Sequence, residues 1–203
     1  MMILKLLRMK KQLRLLAILT VIIAGISLTG CEKSDSSTLF GNSIIYIPQS
    51  TVSGGQNLHY LVPTGANADT YNYKVDATGN KVNVLLGVLR TGMETYDSYS
   101  VSITTRADTI NQLIANGKIN LTPSTKPVVL LPSNSYTMPT TVTVPDGSSA
   151  ASFNLAVNLT DLKTYVGKKV ALCVAISNPT KYMLSSTNKN VIILIDVDVL
   201  KLP

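Results

Sequence analysis

Ser152-Phe153-Asn154-Leu155-Ala156-Val157-Asn158-Leu159 is the stretch that decides the fold. Successive side chains of an extended backbone point to opposite faces, so Phe153, Leu155, Val157 and Leu159 share one face and Ser152, Asn154, Ala156 and Asn158 the other. Such a segment is a strand with one face in a core and one in water. The same period returns on either side. Tyr99, Val101 and Ile103 alternate with Ser100, Ser102 and Thr104, and further faces are formed by Val170, Leu172, Val174 and Ile176 and by Val191, Ile193, Ile195, Val197 and Val199.

Shorter β-branched or aromatic runs at residues 44–47, 58–62, 71–75, 128–131 and 141–144 are bounded by Pro, Gly, Asn or Asp. Pro48 marks the first run as an edge, because proline cannot donate to a ladder. Residues 82–89 are apolar at nearly every position, as expected of a strand covered on both faces. Pro145-Asp146-Gly147 is a turn. One helix is expected, residues 108–116, capped by Asp108, striped by Ile110, Leu113 and Ile114 and ended by Gly117. Some ten short strands and one connecting helix exclude a parallel α/β sheet. The expected fold is all-β, an antiparallel β-sandwich.

The front of the chain reads differently. Residues 1–30 hold Lys5, Arg8, Lys10, Lys11 and Arg14, no acid, and then an apolar run of residues 15–28. That run is short of the ~20 residues needed to span a bilayer and matches a signal peptide, started at Met1, Met2 or Met9. It closes on Leu28-Thr29-Gly30-Cys31, which resembles the lipobox of bacterial lipoproteins and makes Cys31 the expected site of cleavage and lipidation. Residues 31–42 are a Ser-rich tether, and residues 43–203 form a single sandwich domain.

Removing the leader leaves 13 basic and 11 acidic residues, a net +2 in place of the whole-chain +7. The basic excess therefore belongs to the leader, and nucleic acid is excluded as a partner. Beyond Cys31 the chain has one cysteine, Cys173, so no internal disulfide is available to it.

Five motifs in order carry a family resemblance: Ile45-Tyr46-Ile47-Pro48-Gln49, Gly87-Val88-Leu89-Arg90-Thr91-Gly92, Leu130-Leu131-Pro132 followed by Tyr136, Val144-Pro145-Asp146-Gly147-Ser148, and Val174-Ala175-Ile176-Ser177. Together they resemble the domain-of-unknown-function 1735 family of Bacteroidetes lipoproteins. Its sandwich also occurs ahead of endo-β-N-acetylglucosaminidase modules. The resemblance implies an immunoglobulin-like β-sandwich on an outer-membrane lipoprotein, often encoded near glycan-uptake machinery. It carries over no catalytic residue.

Individual side chains offer few candidates for chemistry. Asp196 and Asp198, two apart on the last expected strand, share a face at roughly 7 Å, a spacing open to paired-carboxylate hydrolysis, but a solvated face is the plainer reading. His59 is the sole histidine, expected on a surface strand. Cys173 is expected to be a buried small hydrophobe. Tyr71, Tyr73, Tyr96 and Tyr99 form the candidate ligand-binding set, because aromatic faces stack on sugar rings. Asp108-Thr109-Ile110 resembles a Bacteroidetes O-glycosylation sequon and makes Thr109 the candidate acceptor.

The sequence therefore points to a non-enzymatic outer-membrane lipoprotein facing outward, without cofactor or metal. It is held to the membrane by its N-terminal lipid and binds a glycan or serves a glycan-uptake system. The alternative is a structural or adhesive module whose partner is a cell-envelope protein, the long final strand of residues 190–200 pairing with that partner's edge.

Overall fold

The computed structural model describes residues 42–51, 59–119 and 126–203, all within the unit Phe40–Pro203. Two six-stranded sheets form a sandwich. The first holds β1 (Ile44–Tyr46), β3 (Tyr73–Asp76), β4 (Lys81–Thr91), β7 (Tyr136–Thr137), β9 (Ala150–Asn158) and β11 (Met183–Leu184). The second holds β2 (Tyr60–Val62), β5 (Tyr99–Thr105), β6 (Val128–Leu130), β8 (Thr141–Val144), β10 (Lys169–Ser177) and β12 (Asn190–Asp196). The fold is all-β, as expected. The ladders are mostly antiparallel, but β1 with β11, β10 with β6 and β12 with β2 run parallel.

The alternating stretch is the heart of the first sheet. β9 lies antiparallel beside β4 from Lys81↔Asn158 to Leu89↔Ala150. Its Phe153, Leu155 and Val157 turn inward to meet Val82, Val84, Leu86 and Val88 of β4. Leu159 is buried too, but it lies in a helix. Asn158 ends the strand, and its side chain accepts the Asp161 N–H at 3.0 Å to cap a five-residue helix, Leu159–Lys163. An Asn-x-x-Asp signal after a strand pattern went unread in the sequence.

Two expectations about coverage change places. β4 is not covered on both faces: Leu85 is 49% exposed, because the outer side of the first sheet meets solvent there. The strand buried on both faces is β10, where every residue from Val170 to Ile176 is buried. Its inner residues join the main core, while Ala171 and Cys173 lie with Leu194 under α1 (Ala107–Ala115) through Ile110. Small side chains on that face let the helix approach, so α1 is a third layer and more than a connector. The Arg106 N–H bonds to the Cys173 carbonyl at 2.9 Å and fixes where it begins.

Asp108 makes no capping bond. The helix starts one residue earlier, and Asp108 sits in its first turn. Gly117 ends it as expected, with φ +64°. Its N–H bonds to Ile114 at 3.1 Å and that of Lys118 to Leu113 at 2.8 Å, the paired bonds of a Schellman end. β1 is likewise no edge, since β4 flanks one side and two-residue β11 the other. Strands of two residues are too short to leave a periodic trace in sequence.

Leu155→Ala should lower unfolding free energy in urea by about 2–5 kcal/mol, whereas Leu85→Ala should cost under about 1 kcal/mol. Similar losses at the two sites would contradict the single-faced burial of β4.

Candidate functional site

The strand directions give the sandwich two distinct ends. The chain enters β1 at Ser43, beside the end of β4, since Ile44 pairs with Thr91. This end is named the tether end, after the tether expected to precede it in the sequence. At the far end lie Lys81 and Asn158 of the first sheet and the cross-strand pair Lys169 and Asp196 of the second. The eleven residues of β4 separate the two ends by roughly 30 Å.

At the tether end the Gly87-to-Gly92 motif and two of the candidate tyrosines converge. Arg90 continues the inward face of β4 and is only 3% exposed. Its guanidinium lies 4.5 Å from the ring centroids of both Tyr96 and Tyr182. Nη1 donates to Ser43 Oγ and Nη2 to the Glu94 carbonyl at 3.0 Å. Tyr182 meets Tyr99 edge-on at 5.5 Å and donates its hydroxyl hydrogen to the Thr95 carbonyl at 2.6 Å. Burial pushes the Tyr99 phenol up to about 12. Gly92 has φ +99°, and a Cβ there would stand 2.8 Å from Ser43 Oγ, so the motif glycine admits β1 to the knot.

Another motif residue closes a gap along β4. Between the segment paired with β1 and the segment paired with β3, the Gly87 N–H donates to Gln49 Oε1 at 3.1 Å. A side chain at Gly87 would press on the Ala151 carbonyl at 3.3 Å. The family motifs at these positions are thus ties between strands.

The far end carries a different surface. A groove of about 170 Å³ opens there, lined by Leu61, Val62, Pro63, Lys169, Leu194, Asp196 and Val199. Leu194 belongs to the apolar cluster under α1, so the groove lies on the outer face of the second sheet. Leu61 and Val199 are both exposed. The loop carrying Tyr71 is tied to this region, with Asn72 Nδ2 donating to the Leu61 carbonyl at 2.7 Å. Tyr71 stacks on Tyr73 at 5.4 Å, and Lys201 Nζ stands 5.9 Å over the Tyr71 ring.

The four tyrosines therefore make no single site. Tyr73 and Tyr99 are core residues, Tyr71 is half-buried at the far end, and Tyr96 is exposed at the tether end. Cys31 lies outside the described residues. Thr109 is half-buried in the first turn of α1.

Asp196 and Asp198 do not share a strand. β12 ends at Asp196, and Val197–Val199 form a 3-10 turn. That shortened strand is also flanked by β2 along Ile193–Ile195, which removes much of the edge expected of residues 190–200. Both carboxylates reach Lys126 Nζ, at 2.6 and 2.9 Å. The Gly167 N–H and then Lys126 hold the Asp198 carboxyl below the usual carboxylate range. A general acid for glycoside hydrolysis needs the opposite shift. Among the described residues no three His, Cys, Asp or Glu side chains gather as a metal site. Cys173 is buried, and burial pushes its thiol up to about 11, far from a nucleophile's range.

This architecture defines a β-sandwich module. A family model whose description reads "-like, N-terminal domain" matches residues 41–183. The chain belongs to the domain-of-unknown-function 1735 family, as its ordered motifs implied. No curated protein matches it. Among solved structures it is similar to a protein of unknown function from Bacteroides ovatus, with 16% identity and TM-score 0.47 over 75% of this chain and 45% of that one. A multidomain Bacteroides ovatus protein including this same domain gives 18% identity and TM-score 0.40 over 66% and 42%. A candidate carbohydrate-binding protein from Bacteroides ovatus gives 14% and 0.44 over 57% and 31%. The chain spans less than half the length of each.

His59 is buried just before β2, where a surface position was expected, and burial holds its imidazole below the ordinary 6.5. As pH falls the unfolded chain takes up this proton first. The stability that His59 contributes is complete above pH 6.5 and is lost as pH falls through the lower folded value. Urea midpoints should drop between about pH 7.5 and about pH 5, and drop less in His59→Asn.

Proposed function

We propose that this chain is a lipid-anchored, outward-facing module of the outer membrane that binds a glycan without transforming it, using the far-end groove. The observation that carries the reading is the position of that groove, at the opposite end of the sandwich from Ser43, where the tether joins. A module held at one end presents the other to the medium. The groove suits a sugar in chemical terms. Leu61, Pro63 and Val199 offer apolar surface to the C–H face of a pyranose, and Lys169 and Asp196 offer a donor and an acceptor to its hydroxyls.

One observation favours the second reading, a protein-docking module of a cell-surface assembly. β9 is paired along its whole length by β4, but among the described residues its other edge is paired only at Ala156 and Val157, by β7. The open stretch is a template for an added strand.

Two experiments test the proposal. Cys31→Ser should abolish incorporation of a labelled lipid precursor and release the chain from membranes; retention of both would overturn the anchor. On arrays and affinity gels of host and dietary glycans the wild-type chain should bind, and Leu61→Asp or Lys169→Ala should weaken the best ligand at least about tenfold. Uniform absence of binding, or variants that bind like wild type, would remove the groove as the site.

A further inference from the structure

The tether end has a surface of its own. Among the described residues, eight large apolar side chains are exposed, and four of them belong to this end: Ile44 at 39%, Met93 at 62%, Tyr96 at 46% and Met183 at 58%. Each sits next to the Arg90 knot. Ile44 pairs with Met183 across β1 and β11, Tyr96 lies over the guanidinium, and Met93 follows Gly92, where a Cβ would collide with Ser43. Soluble surfaces seldom gather such residues without a partner.

We propose that this end rests on the bilayer surface, with Ile44, Met93, Tyr96 and Met183 in contact with the headgroup and upper acyl region. The proposal rests on lipidation at Cys31, and it commits to lipid as the occupant because of where the chain leaves the sandwich. Only residues 32–42 separate the lipidated cysteine from Ser43. A flexible chain of that length spans roughly 20 Å on average, short of the roughly 30 Å between the two ends, so the end that meets the tether is the end held nearest the membrane.

The chemistry fits that partner. Tyrosine favours the membrane interface, where its ring is buried and its hydroxyl stays wet, and methionine adapts to irregular surroundings. The contact is apolar in origin. Arg90 is buried, and the exposed Lys181 is already paired with Asp97, so the pair offers anionic headgroups no net charge. Weak insertion suffices, because the covalent lipid makes the contact intramolecular and its effective concentration high.

The chain contains no tryptophan, so an introduced indole reports without background. Lipidated full-length Met93→Trp and Val166→Trp chains would be incorporated in vesicles of phosphatidylethanolamine and phosphatidylglycerol, with and without lipid brominated high on the acyl chain. Val166 is exposed and lies at the far end, next to Gly167, which bonds to Asp198. Interfacial side chains sit about 5–10 Å into the headgroup and acyl boundary, within reach of such quenchers. The Met93→Trp chain should be blue-shifted and quenched, the Val166→Trp chain neither, and the contrast should not depend on phosphatidylglycerol content. Chains that float with the vesicles but show no quenching at position 93 overturn the docking and leave the anchor standing. Chains that fail to float overturn the anchor and the docking with it.

Discussion

A guanidinium removed from water needs partners from the protein, and the tether end of this sandwich is built around supplying most of them. Arg90 sits on the core face of β4 where hydrophobic residues precede it at every second position. Two tyrosine rings cover its faces, while Ser43 and the Glu94 carbonyl take its outer nitrogens. Nε, buried, has no hydrogen-bond partner. These partners come from three separate segments: the residue before β1, the β4–β5 loop and the chain before β11. The Gly147 N–H also bonds to the Tyr96 carbonyl at 2.6 Å, which ties the β8–β9 crossing to the same loop. Two of the connections between the sheets, β4–β5 and β8–β9, thereby meet beside one cation.

The fold was legible wherever a strand has one wet face. The Phe153–Asn154–Leu155–Ala156–Val157 alternation and the Tyr99-to-Thr104 alternation each gave strand, face and core residues directly, because burying one face of a strand enforces its period of two. It failed where coverage is set from elsewhere in the chain. An apolar run such as residues 82–89 carries no mark telling whether a second layer will arrive, and Leu85 stands in water. The small residues Ala171 and Cys173 were the better sign of a covered outer face, since they leave room for α1. Two-residue strands and the early end of β12 are decided by neighbours and leave no local signal.

The site was less legible, for a physical reason. Motifs that recur in order invite a functional reading, yet Gln49, Gly87, Arg90 and Gly92 are occupied in holding strands to one another. The candidate tyrosines were grouped by residue type, and the topology sends them to opposite ends and to the core. The groove residues Leu61, Lys169 and Val199 meet only through the pairing of β2, β12 and β10, a long-range fact that no spacing encodes. On the proposed reading, recognition rests on residues outside the motifs.

That division between structural motif and recognition surface is the central claim, and Arg90→Lys tests it. Lysine keeps the charge but cannot stack between two rings or bond to Ser43 and the Glu94 carbonyl through a rigid fork. Urea unfolding should show a loss of about 2 kcal/mol or more, with affinity for any far-end ligand unchanged in the folded protein. A loss under about 0.5 kcal/mol, the range of an ordinary surface change, or a loss of ligand binding from a folded variant would contradict it.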